Sequence, residues 1–109
     1  MNMEKYRLKD MIKGWFVGDF EPTVIKTKDC EVGVKHYAAG SKEEPHYHGQ
    51  AEELTVVVSG RVRMNNSIYE AGDIVKVSRD EVVEFEALED TLTVVYKTAS
   101  VPGDKYVIK

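Results

Sequence analysis

"GSKEEPHYHGQAEELTVVVSG", residues Gly40 to Gly60, holds two of the three histidines of the 109-residue chain, one residue apart. On an extended strand, residues i and i+2 point to the same face, so His46 and His48 project together. Neutral imidazole nitrogens at that separation can share one metal ion. Glu53 follows His48 by five residues, a spacing that carries the chain round a turn and back along a neighbouring strand. Two histidines and a carboxylate suit Fe(II), Mn(II), Ni(II) or Zn(II) and leave positions open for substrate. Pro45 stiffens the approach to the pair. A bare H-x-H is weak evidence, because surface histidines fall into it by accident. The fuller spacing, from Gly40 through Glu53 to Gly60, makes accident a poor account.

Outward from this stretch the chain reads as short strands. "TVIKT", "CEVGVKHYA", "ELTVVVS", "RVRM", "SIYEA", "DIVKVS", "VVEFEA" and "TLTVVYKT" are rich in Val, Ile, Thr and Tyr and are separated by Gly, Asn, Asp and Lys. Asn65 and Asn66 predict a hairpin turn, since Asn tolerates positive φ, and Gly72 and Asp90 mark two more. Gly33 within a strand marks a bulge. So many short strands with so little helix predict an all-β sandwich or small barrel. Ahead of them, Leu8, Met11, Ile12, Trp15 and Phe16 recur at helical spacing and predict a short amphipathic helix on the outside of the fold. The expected organisation is an N-terminal helix or arm over 1–22, a barrel over 23–98 and a C-terminal arm over 99–109. That arm follows a turn at Pro102 and Gly103, as an extended segment or short strand.

Composition narrows the function. A net charge of −4, with scattered lysines and arginines, argues against nucleic acid and anionic membrane as partners. The single Cys30 excludes an intramolecular disulfide, fits a reducing compartment and is expected to behave as a small buried hydrophobe. "MNMEKYRLKDMIKGW" lacks the apolar core of a signal peptide, and no apolar run approaches a membrane span, so a cytoplasmic location is expected. The acidic runs at Lys42 to Glu44 and Glu84 to Asp90 read as solvated faces. Alternating apolar positions on both faces of strands such as "ELTVVVS" exceed what one interior can take, which predicts a homodimer through one sheet.

At Gly40, His46, His48, Glu53 and Gly60 the sequence resembles the cupin superfamily, whose first motif reads G-x5-H-x-H-x3,4-E-x6-G. Glu52 also satisfies the shorter glutamate spacing, but only Glu53 keeps Gly60 in place. The resemblance covers roughly Thr23 to Thr98. It implies a jelly-roll β-barrel with one divalent transition metal (Fe, Mn, Ni or Zn) held inside by His46, His48 and Glu53. The second motif, G-D-x4-P-x-G-x2-H, is matched at Gly72 and Asp73, while Ser78 replaces its proline and Asp80 its glycine. Val83 stands where the third histidine of the metal shell belongs. Burial favours Val83, Phe85 and Ala87 facing inward with Glu84 and Glu86 outward, which gives three protein ligands and an apolar wall.

Among weaker candidates, His36 serves as a fourth ligand or cavity base, or else as a partly buried histidine with a backbone partner. Tyr96 is a candidate hydrogen-bond donor to a ligand. Neither spacing nor composition assigns a general acid or base. The leading expectation is a metal-binding cupin acting on a small polar metabolite, of sugar or keto/hydroxy acid type. The alternatives are a non-catalytic cupin that binds a small molecule, and a metal-free enzyme of the sugar-nucleotide isomerase or epimerase type. A barrel of this kind hosts many chemistries, so fold alone names none of them.

Overall fold

Runs of Val, Ile and Thr alternating with polar residues form strands through most of the chain. The computed structural model describes residues 2–109. Its strands are β1 (Trp15–Gly18), β2 (Ile25–Lys26), β3 (Glu31–Tyr37), β4 (Lys42–Tyr47), β5 (Glu53–Ser59), β6 (Arg61–Met64), β7 (Ser67–Glu70), β8 (Ile74–Val77), β9 (Val83–Ala87), β10 (Thr91–Lys97) and β11 (Tyr106–Val107). They make two sheets, in the order β2-β1-β3-β10-β5-β8 and β11-β4-β9-β6-β7. All pairs are antiparallel except β1 with β2. The all-β jelly-roll expected from the sequence is present.

Period-two alternation sends one face of each sheet inward. Val57 and Val77 from the first sheet meet Val62, Met64, Val83, Phe85 and Ala87 from the second. In β9 the inward set is Val83, Phe85 and Ala87, as burial demanded, while Glu84 is exposed and Glu86 half-buried. The Asn65–Asn66 turn joins β6 to β7 in register, with Asn65 at φ 54°. The turns at Gly72 and Asp90 exist, but they are not hairpins. Each carries the chain from the second sheet to the first, from β7 to β8 and from β9 to β10. Strand propensity marks where the chain turns without saying whether it returns to the same sheet. Gly60 makes the opposite crossing, from β5 to β6, at φ 92°. A Cβ there would run into the Asp90 carbonyl and the Thr91 side chain, so the crossing admits only glycine.

The predicted N-terminal helix does not form. Residues 8–10 and 12–14 make two 3-10 turns, and positive φ at Lys13 (53°) and Gly14 (82°) ends the helical path. Glycine in a helix interior costs about 1 kcal/mol relative to alanine, and a stretch with Gly14 and Gly18 is poorly placed to resist a competing pairing. β1 supplies that pairing: Trp15 lies across from Gly33 and Val17 across from Val32, with a bulge at Phe16. The irregularity expected at Gly33 is therefore carried by its partner strand. In the tail, β11 pairs with β4, Tyr106 opposite Tyr47 and Val107 opposite His46. Among the described residues no helix is long and apolar enough to cross a membrane.

Candidate metal centre and its cavity

The inner faces of the two sheets enclose a cavity of about 230 Å³ lined by His46, His48, Glu53, Val83 and Phe85, among others. β4 supplies the first histidine. Its pairing with β9 matches Glu43 to Phe85 and His46 to Val83, so the register slips between these pairs and a bulge forms. The bulge turns Glu43 and His46, three residues apart, to the same interior. His46 Nδ1 lies 2.8 Å from the Glu44 carbonyl oxygen within it.

His48 lies just beyond β4, and its Nδ1 is 2.7 Å from the Asp104 carbonyl oxygen. Both histidines are 4% exposed, so burial fixes their rings in place. The rings meet edge-on, with centroids 5.3 Å apart. A carbonyl partner at Nδ1 leaves Nε2 as the ring nitrogen free for a further partner, and such partners orient metal-binding histidines. The Asp104 carboxylate accepts the backbone N–H groups of Gly49, Gln50 and Ala51 at 2.9–3.1 Å. It clamps the loop that leads from His48 to Glu53.

Glu53 opens β5, and its Oε2 is 3.0 Å from His48 Nε2. Burial alone would raise the Glu53 carboxyl. The His48 hydrogen bond and the nearby Lys97, His48 and His46 charges outweigh it and hold the group below its ordinary range. Glu52 points elsewhere, 3.5 Å from Lys76 Nζ. The structure thus brings His46, His48 and Glu53 together, with Val83 directly opposite His46.

Among the described residues, no group of three or more His, Cys, Asp or Glu side chains is placed to hold a metal ion. The donor chemistry nevertheless fits a divalent metal. Two buried imidazoles have their Nδ1 atoms tied to carbonyls, and a carboxylate stands beside one Nε2. The 3.0 Å between His48 Nε2 and Glu53 Oε2 is close to the separation of two ligands at right angles with bonds of about 2.1 Å.

Two candidates lie elsewhere. His36 is exposed on the outer face of β3, and Tyr96 is 39% exposed on the outer face of β10. Strict alternation explains both: Lys35 and Tyr37 take the inward positions around His36, as Val95 and Lys97 do around Tyr96. Cys30 is half-buried. One acidic run is also corrected, because Glu43 lines the cavity and accepts a 2.9 Å hydrogen bond from the Tyr37 hydroxyl. The Tyr37 ring packs on Phe85 at 4.5 Å. Burial, then the Glu43 charge and hydrogen bond and the Glu53 charge, pushes the Tyr37 phenol well above its usual range. The other wall carries Trp15 and Lys35. Burial lowers the Lys35 ammonium, Glu43 opposes this, and Lys13, Lys97 and Lys105 reinforce it.

No protein-family model matches the sequence, and no curated protein matches it. Solved structures do. An uncharacterized conserved protein with a double-stranded β-helix domain from Klebsiella pneumoniae aligns over 98% of both chains at TM-score 0.72 and 18% identity. DMSP lyase DddQ from Ruegeria pomeroyi aligns over 84% of this chain and 48% of its own at TM-score 0.69 and 15% identity. The bacterial pirin YhhW from Escherichia coli, in complex with nickel(II), aligns over 81% and 39% at TM-score 0.66 and 13% identity. At these identities the likeness concerns the fold, and it agrees with the sheet order: the chain has a double-stranded β-helix, the jelly-roll fold expected from the sequence.

Proposed function

We propose that this chain is a metal-dependent cupin acting on a small polar metabolite of sugar-acid or keto/hydroxy-acid type. One divalent transition metal, Fe, Mn, Ni or Zn, is held by His46, His48 and Glu53. The observation that carries the reading is the pair of buried histidines, each tied through Nδ1 to a backbone carbonyl, with the half-buried Glu53 carboxylate against one of them. The nickel complex of the similar Escherichia coli pirin lends support. When bound, the metal supplies Lewis acidity toward a carbonyl or hydroxyl oxygen. Val83 and Phe85 give the substrate an apolar wall and keep bulk water from the reacting atoms. The Tyr37–Glu43 pair faces the same space. Glu43 is placed to take a proton from substrate, while the Tyr37 hydroxyl orients its carboxylate.

The direct His48–Glu53 bond favours one alternative, in which the pair works as an acid–base couple without metal, as in an isomerase or epimerase. Elemental analysis of untagged protein purified without chelators, beside the His46→Ala/His48→Ala double variant, separates the two. Metal near one equivalent, lost in the variant, is the expected result. Its absence from both, even after reconstitution, would leave the acid–base reading.

A further inference from the structure

Four lysines, Lys13, Lys35, Lys97 and Lys105, line the cavity together with only two glutamates, Glu43 and Glu53. The whole chain is acidic, at −4, so this concentration of cations runs against its average. Lys97 is partly neutralised, 3.6 Å from Glu31 Oε1. Among the described residues, Lys13, Lys35 and Lys105 take part in no ion pair. Lys35 and Lys97 set their ammonium groups 5.1 and 4.9 Å from the centre of the Trp15 ring. That ring lies over Gly33, where a Cβ would come within 2.7 Å of it. The glycine lets the indole settle against the sheet with both ammonium groups beside it.

A second observation comes from the neighbouring strand. Thr93 lies directly across from Lys35 in the β3–β10 register, is fully buried and lines the cavity. Among the described residues, its Oγ1 is the one buried side-chain polar atom with no hydrogen-bond partner. A buried hydroxyl left unpaired costs about 1–3 kcal/mol and calls for a partner outside the protein chain. Cross-strand pairing puts the Thr93 side chain and the Lys35 stem on the same inner face, where a small shift of either opens both groups to one anionic oxygen.

We infer that the cavity binds a small dianionic metabolite: one anionic group lies at the His46–His48–Glu53 end, and the second is held by Lys35 and the Thr93 hydroxyl, with Lys13, Lys97 and Lys105 supplying the surrounding positive field. The inference rests on the metal reading for the first group only. A volume of about 230 Å³, below the roughly 300–1,000 Å³ of drug-sized sites, limits the ligand to a few carbons. A carboxylate and a phosphate share the chemistry required of the second group.

Calorimetric titration of the purified protein at low salt with succinate, O-phosphoglycolate and butyrate tests this. At least one of these two-headed anions, succinate or O-phosphoglycolate (whose phosphate adds about −1.5 to −2 to its carboxylate), is expected to bind about 10-fold or more tightly than butyrate, and the tighter of the two identifies the second group as carboxylate or phosphate. K35M should reduce dianion affinity about 10-fold and leave butyrate unchanged, the size of one charge-assisted contact. T93V should weaken the dianion while leaving stability equal or higher, because it removes an unpaired hydroxyl. A merely structural Thr93 would instead lose stability and keep binding. Butyrate matching both dianions, or K35M binding them as tightly as the natural chain, overturns the inference. The His46→Ala/His48→Ala variant keeps the two readings apart, since it should still bind inorganic phosphate in a Lys35-dependent way. Failure of the metal reading alone would show as metal-free natural protein that retains that phosphate binding.

Discussion

Asp104 is the residue on which most of the site's geometry converges. It is 7% exposed, its carboxylate takes up the amides of residues 49–51, and its carbonyl oxygen orients His48. Hydrogen bonds to a charged acceptor are worth about 1.5–3 kcal/mol, and removing the acceptor leaves buried donors unpaired. Asp104→Ala should therefore lower stability by about 3 kcal/mol in urea unfolding. It should also weaken metal binding several-fold in a competition titration: the Asp104 carbonyl that orients His48 is kept, but the loop from His48 to Glu53 loses the carboxylate that holds its amides. Equal metal affinity would show that His48 holds its pose without the clamp. Tyr37 offers a second test. Its phenol is raised by burial and by Glu43, so the folded state holds that proton more tightly than the unfolded chain, whose tyrosines ionise near pH ~10. The stability it contributes is fully present below that pH and is lost as pH rises through the higher folded value. Ultraviolet titration should show one late-ionising tyrosine that disappears in Tyr37→Phe, and the variant should lose less stability than the natural chain above about pH 10.

Among the elements, β4 shows why the site was only partly legible. Spacing alone placed His46, His48 and Glu53 on one cavity, because the motif sits on a strand, a short loop and the next strand. Glu43 was hidden by the bulge. Uninterrupted alternation from His46 puts Glu44 inside, and only the slipped register with β9 exchanges it for Glu43. Asp104 was hidden by distance, since it meets His48 from 56 residues away through a tail with no distinguishing pattern. Trp15 carried a helical spacing that the pairing of β1 with β3 overrode. The paired strands β6 and β7 and the inward set of β9 were readable because local turn chemistry or burial decides them. That set also gives the sharpest test at this scale. Val83 is 5% exposed and lies opposite His46, so Val83→His delivers an imidazole to the same interior. The expected result is metal bound about 10-fold or more tightly, at a cost of about 1–3 kcal/mol for burying a polar ring in an apolar place. Unchanged metal affinity would mean that the cavity beside Val83 is not where the metal sits.

For the whole molecule, the outer face of the first sheet sets a further expectation. Register places Val34, Val94, Val56 and Ile74 in one row across β3, β10, β5 and β8. The next row holds Val32, Tyr96, Leu54 and Lys76. Ile74 is 65% exposed, with Val58 and Tyr96 also open to solvent on this face. Charge is nearly absent from these rows, although the chain is 31% charged overall. A twofold axis through the face would set the valine row of one copy against that of another, the self-complementary arrangement of an isologous dimer. We therefore expect a homodimer through this sheet. Sedimentation at micromolar concentration should give a dimer, and Val56→Glu with Ile74→Lys should give a folded monomer. Each copy loses two apolar side chains of that row, Val56 within the sheet and Ile74 at its edge, while the inward-facing core stays intact. Because the cavity opens on the other face of the same sheet, the monomeric variant should keep the metal content of the natural chain. A monomeric natural protein at that concentration would leave the apolar rows without a second copy to cover them. Loss of metal on dissociation would show instead that pairing of the outer faces holds β5 and β10, and with them Glu53 and Lys97, in place.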